Sequence, residues 1–212
     1  VTDSKGGTVT TSETVTITGT NDTPTVSAAL TDTSDEGSSS HVVNLLANAS
    51  DVDLTDVLSV TGVTYSVNGA TASGTAPAGV SLTGSSLTID PTNAAFDSLA
   101  AGETKVIRVN YTVTDSKGGT VTTSETVTIT GTNDTPTVSA ALTDTSDEGS
   151  SSHVVNLLAN ASDVDLTDVL SVTGVTYSVN GATASGTAPA GVSLTGSSLT
   201  IDPTNAAFDS LA

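Results

Sequence analysis

Three observations predict an all-β chain of tandem immunoglobulin-type β-sandwich domains. β-Branched residues are abundant and helix formers scarce, which suits pleated, half-buried surfaces. Residues 1–100 recur without a substitution as residues 113–212, a period of 112 residues. That is the size of one small domain and too long for a solenoid turn. Within the period, short alternating segments are separated by turn-forming Gly, Pro, Asp and Asn, giving about seven strands per unit, as in a two-sheet sandwich. Identical copies cannot divide labour, so the repeat points to length itself as the useful property.

The unit is framed from one proline to the next joint. Residues 24–135 form a complete domain, residues 1–23 the C-terminal strands of a preceding one, and residues 136–212 the N-terminal part of a following one. The chain opens in mid-pattern and stops before the last two strands of its third piece. It therefore reads as an internal segment, either a window on a longer fibre or a piece completed by neighbouring chains.

Within the unit, residues 25–30 alternate Val26, Ala28 and Leu30 and predict a first strand, ended by the polar run 31–40. Residues 42–46 predict a second. An acidic loop over 49–56 leads into a third over 57–67, which contains Tyr65. A Gly-, Ala-, Thr- and Pro-rich loop, 68–79, precedes two short strands at 80–82 and 87–89 around Gly84-Ser85. Asp90 as an N-cap with Pro91 behind it predicts a single helical turn through Phe96 to Leu99, the only helical signal.

Residues 104–114 place Ile107, Val109, Tyr111 and Val113 on one face and predict the central strand of the core. The turn Asp115-Ser116-Lys117-Gly118-Gly119 closes a hairpin onto residues 120–130, where Val121, Thr123, Val127 and Ile129 share a parity. Glu125 shares it too, which predicts a bulge or an edge there. Tyr111, two residues before Val113, occupies the place of a tyrosine corner.

The joint between domains is Gly131-Thr132-Asn133-Asp134-Thr135-Pro136, also present as Gly19-Thr20-Asn21-Asp22-Thr23-Pro24. Gly131 permits a positive φ, while Pro136 fixes its own φ and biases Thr135 towards extended backbone, so the joint is expected to be short and stiff.

Charge narrows the function classes. The chain has 23 Asp and Glu against 4 Lys and Arg, a net charge of -19. Such a surface is not expected to bind nucleic acid or an anionic membrane, and it repels itself unless cations intervene. There is no Cys to form a disulfide framework, so a small secreted domain would need another staple, such as a metal ion. No apolar run approaches the roughly 18 residues of a spanning helix, so direct membrane insertion is not expected. One His per unit, His41 and its copy His153, no Cys and no Gly-x-Ser-x-Gly give no catalytic constellation, and the chain is read as non-enzymatic.

The acidic side chains cluster in loops: Asp35-Glu36 (copied as Asp147-Glu148), Asp51, Asp53 and Asp56 (copied as Asp163, Asp165 and Asp168), Asp115 in the hairpin turn, and the joint pairs Asn21-Asp22 and Asn133-Asp134. Calcium takes about 6 to 8 oxygens from carboxylates, amides, backbone carbonyls and water. In extended backbone residues i and i+2 point the same way, so Asp51 and Asp53 can converge on one ion, as can Asp163 and Asp165. The structural alternative is that these are turn-forming aspartates that merely solvate loops.

Four motifs together, Tyr111-Thr-Val-Thr-Asp115-Ser-Lys-Gly-Gly119, the joint sequence, Asp35-Glu-Gly37, and Asp90-Pro-Thr-Asn-Ala-Ala-Phe-Asp-Ser-Leu-Ala-Ala-Gly-Glu103, span nearly the whole unit. In them the chain resembles the tandem extender repeats of bacterial repeats-in-toxin adhesins, the VCBS or cadherin-like repeats. The resemblance implies immunoglobulin-like domains strung along a long protein of the bacterial cell surface, with Ca2+ at the joints stiffening the string. By analogy with cadherin joints, Asn133 and Asp134 would share an ion with Asp163 and Asp165, and Asn21 and Asp22 with Asp51 and Asp53. The partners would then be neighbouring repeats of the same chain, and any final ligand would be gripped by other domains.

Two competing readings remain open. One is a carbohydrate-binding sandwich, although the chain has no Trp and few aromatics on which a sugar could stack. The other is ice or mineral binding by the threonine-rich face Thr122, Ser124, Thr126, Thr128 and Thr130, whose ordinary role is an outward polar strand face.

Overall fold

The computed structural model describes residues 1–209 and is built of strands, turns and loops, with no α-helix among the described residues. The first unit contains β1 (Thr25–Val26), β2 (Leu30–Asp35), β3 (His41–Asn44), β4 (Ala49–Ser50), β5 (Ser59–Val67), β6 (Val80–Thr83), β7 (Ser86–Ile89), β8 (Thr104–Thr114) and β9 (Thr120–Thr130). The following piece adds β10 (Thr137–Val138), β11 (His153–Asn156), β12 (Ala161–Ser162), β13 (Val192–Thr195) and β14 (Ser198–Ile201).

Two sheets form the sandwich: a four-stranded one in the order β2-β9-β8-β5 and a three-stranded one in the order β3-β7-β6, with β1 and β4 as a short ribbon. The β8–β9 hairpin anchors the larger sheet in unbroken antiparallel register from Thr104 against Thr130 to Thr114 against Thr120. Its inward residues follow the predicted alternation, with Ile107, Val109, Tyr111, Val113, Val127 and Ile129 all buried. They pack with Leu45, Val80, Leu87, Ile89 and Phe96 in one core. Burial of a dozen such side chains supplies the main driving force for an unstapled domain of this size.

Several elements differ from the sequence reading. Residues 31–35, expected as a polar loop, lie in β2, because β9 offers them a parallel partner, with Leu30 opposite Glu125 and Asp35 opposite Thr130. The expected first strand shrinks to β1, which joins β4 in the ribbon, while the two sheets of the sandwich hold four and three strands, the seven expected. Glu125 marks neither a bulge nor an edge: β9 is internal to the sheet and Glu125 is 0% exposed. The register irregularity falls instead in β5, between Thr61 and Thr64, where Gly62 adopts φ +60°.

The helical turn after Asp90 does not form. Asn93 N donates to Asp90 O, Phe96 N to Asn93 O and Leu99 N to Phe96 O, so each bond spans three residues and the next begins where it ends. Asp90 Oδ1 takes the amide and hydroxyl of Thr92, and Asn93 Oδ1 takes the amide of Ala95. Side-chain acceptors thus close tight turns in competition with a helix. Tyr111 makes no local corner: its hydroxyl donates across the sandwich to Leu45 O at 2.8 Å.

Candidate metal centre

The loop after β4 and the β8–β9 turn bring acids together at the start of the unit. Asp51, Asp56 and Asp115 each offer a carboxylate oxygen, and these oxygens lie within 4.8 Å of one another. The turn fixes Asp115, whose Oδ1 accepts the amides of Lys117, Gly118 and Gly119 at 2.7, 2.6 and 2.9 Å. Its Oδ2 accepts the Asn21 side-chain amide from the joint at 3.0 Å. The Asn21 bond, with those turn amides behind it, holds the Asp115 carboxyl below the usual aspartate range despite burial. Burial pushes Asp56 the other way, with Asp115, Asp53 and Asp51 adding to the effect and Lys117 opposing it.

The joint is sewn to this loop by backbone. Asp22 N donates to Asp53 Oδ2 at 2.8 Å, and Asp53 N to Asp51 Oδ1 at 2.9 Å. Between them opens a cavity of about 250 Å³ lined by Gly19, Thr20, Asn21, Asp53, Thr55, Asp56 and Lys117.

A second cluster lies across the next joint, where the end of one unit meets the loop of the following piece. Glu36, one residue past β2, is buried and accepts the amide of Thr132 on Oε2 at 3.1 Å. Asp134 N donates to Asp165 Oδ2 at 2.9 Å, the counterpart of the Asp22 and Asp53 contact. Burial raises the Glu36 pKa against that amide bond, and the charges of Asp134, Asp97 and Asp165 raise it further. Asp134, Asp97 and Asp165 thus all bear on Glu36 with charge of its own sign, although among the described residues only Asp51, Asp56 and Asp115 bring carboxylate oxygens within 4.8 Å of one another. Glu36, Gly37, Thr92, Asp97, Thr132, Asp134 and Val164 line a cavity of about 380 Å³ there. Leu166 N reaches Ser98 O at 3.5 Å across the same joint.

Gly131 enters this joint by a different route from the one expected, since its φ is not positive. A Cβ there would lie 2.3 Å from Leu99 O and 2.4 Å from Ala100 O, so only glycine lets the joint backbone press against the turn chain.

The structure does not gather every expected residue. Asp35 alternates with Glu36 and points outward from the end of β2. Asp147, Glu148 and Asp168 are exposed, and among the described residues the Asn133 side chain bonds only its neighbour, donating to Asp134 O. Asp163 supports Asp165, accepting its amide on Oδ1 at 3.1 Å. Asp97 was missed by the sequence reading: it sits in the turn chain after Asp90, and its only signal was its charge.

Whether these oxygens suit a hard cation can be judged from what reaches them. An ionised carboxylate can only accept, so a buried one needs donors or a cation. Asp51 Oδ2, Asp56 Oδ2 and Asp165 Oδ1 are buried and have no hydrogen-bond partner among the described residues, and Asp165 is 2% exposed. All-oxygen donors with free lone pairs, gathered from three loops, fit calcium better than a softer metal. His41 stands apart from these clusters and hydrogen-bonds to Asp32.

A family model described as a bacterial Ig domain matches residues 21–130. A search of curated proteins gives no match.

Proposed function

This chain belongs to the bacterial Ig domain family, and from that membership we propose that it is a stretch of the extender region of a bacterial repeats-in-toxin adhesin. Bacterial Ig-like domains are usually found in surface or extracellular proteins, which supports this reading. In this reading the units act as spacers, set end to end so that an adhesive region elsewhere in the protein is held away from the cell.

The observation that carries the reading is Asp165. Its Oδ2 is tied to the backbone of Asp134 in the joint, its buried Oδ1 is left without a partner among the described residues, and its charge bears on Glu36 of the preceding unit. Without a cation the four acids repel and push the units apart. Calcium would supply the missing positive charge there. Asp165, Asp134, Glu36 and Asp97 would hold one ion across the joint, and Asp51, Asp56, Asp115 and Asn21 another at the start of the unit. The chain's own contribution is to hold these oxygens in place through backbone amides and glycine-permitted packing.

Extracellular calcium modules bind at about 10⁻⁴ to 10⁻³ M, so they fill outside a cell and stay empty inside. Stiffness would accordingly follow export. The test is small-angle scattering on the 212-residue chain with millimolar calcium and then with chelator. The expected result is an extended particle whose maximum dimension shrinks and whose flexibility rises on chelation. An identical profile in both conditions would reject the clamp.

A further inference from the structure

Glu125 lies outside both acid clusters, and the spacer reading does not use it. It sits mid-way along β9 on the inward face, directly opposite Val109 of β8 on one side and Leu30 of β2 on the other. It is 0% exposed, and among the described residues neither carboxylate oxygen has a hydrogen-bond partner.

The titratable groups that face it bring no positive charge to its side. Asp32 of β2 adds negative charge, with His41 of β3 hydrogen-bonded to that aspartate rather than to Glu125. Tyr111 of β8 faces it as well, but its hydroxyl is spent on Leu45 O. Two basic residues of β8 are engaged elsewhere. Arg108 bonds Asn110 and Ser124 on the outer face, and Lys105 reaches Ala95 O beside the Phe96 ring.

We propose that Glu125 is a buried proton carrier that couples the packing of the two sheets to pH, the unit holding together most firmly with this carboxyl neutral and loosening once it ionises. An uncompensated charge in an apolar interior is costly, whereas a neutral carboxyl is tolerated. Burial first, and the Asp32 charge second, raise this carboxyl from 4.5 to about 7. The folded state therefore keeps a proton that the unfolded chain has already released. The stability it contributes is complete below about 4.5, declines as pH rises from there to about 7, and does not change further above that.

The experiment is urea unfolding of the 212-residue chain, wild type and Glu125→Gln, in saturating calcium, from about pH 5 to about pH 8. Glutamine keeps the shape and removes the titration, so other acids cancel in the ratio of the two unfolding constants. That ratio is expected to change by roughly 70-fold across the range, wild type losing ground as pH rises. Carboxyl-carbon NMR of the wild type serves as a second readout should the variant fail to fold. Glu13, the same position of the preceding copy and exposed, provides the reference signal. A Glu125 midpoint near neutrality supports the proposal. A pH-independent ratio, or a midpoint matching Glu13, overturns it.

Discussion

Replacing Gly131 by alanine tests the joint packing against an internal control. The new Cβ would stand 2.3 Å from Leu99 O and 2.4 Å from Ala100 O, both backbone atoms. To reach even 3.0 Å the joint must open by about 0.7 Å. Two hydrogen bonds resist the movement, Gly131 N to Glu103 O at 2.8 Å and Gly102 N to Gly131 O at 3.0 Å. Losing both costs about 2 kcal/mol, and overpacking adds about 1 to 3, giving a destabilisation of about 3 to 5 kcal/mol. For a unit of this size that corresponds to a fall in Tm of at least about 12 °C. Gly19 has the same sequence neighbours but nothing within 4 Å of its would-be Cβ, so Gly19→Ala should stay within about 0.5 kcal/mol of wild type. Thermal unfolding of both variants, with and without chelator, measures the contrast. Equal effects at the two positions, or a Gly131→Ala loss under about 1 kcal/mol, would refute the packing argument.

Two further substitutions test other parts of the unit. Tyr111→Phe removes the 2.8 Å bond to Leu45 O and leaves a buried carbonyl unsatisfied; a loss of about 1 to 3 kcal/mol is expected by urea denaturation. Asp97→Asn removes one charge from the cluster across the joint without touching Asp51, Asp56 or Asp115. The calcium needed for half-maximal extension in scattering should rise by about tenfold, and an unchanged midpoint would remove Asp97 from the site.

What was legible in the sequence was local. The β8–β9 hairpin could be read because its partners are adjacent in the chain and the alternation of Ile107, Val109, Tyr111 and Val113 fixes which face is inward. The Asp51, Asp53 and Asp115 loops could be read because acids crowd within short segments. β2 was missed because its inward residues, Leu30, Asp32 and Ser34, are mostly polar, and its parallel partner β9 lies at the far end of the unit. The turn chain reads as a helix in the sequence because an aspartate followed by proline opens both structures. What decides between them is the repeated side-chain acceptor at Asn93 and the seating of the Phe96 ring where a Cβ on Gly79 would collide. Asp97 stayed hidden for the same reason: only the path of that turn chain carries it towards Glu36.

The exact repeat separates the two kinds of information within one molecule. The sheet β3-β7-β6 and its copy β11-β14-β13 form in the same register in both places, because all three strands lie within the stretch that each copy contains, even though β3 and β7 are distant in the chain. Residues 30–35 are a strand whereas the identical residues 142–147 are not. Ile129 is 0% exposed and Ile17, the same residue of the preceding copy, 90%. Glu36 is buried against the joint while Glu148 is exposed. The alternation, the turns and the acidic loops follow from neighbouring residues alone. Which strands gain a distant partner, which glutamate enters the core and which carboxylates meet is set by the folded arrangement, because burial and long-range pairing depend on what packs against a segment and not on the segment alone.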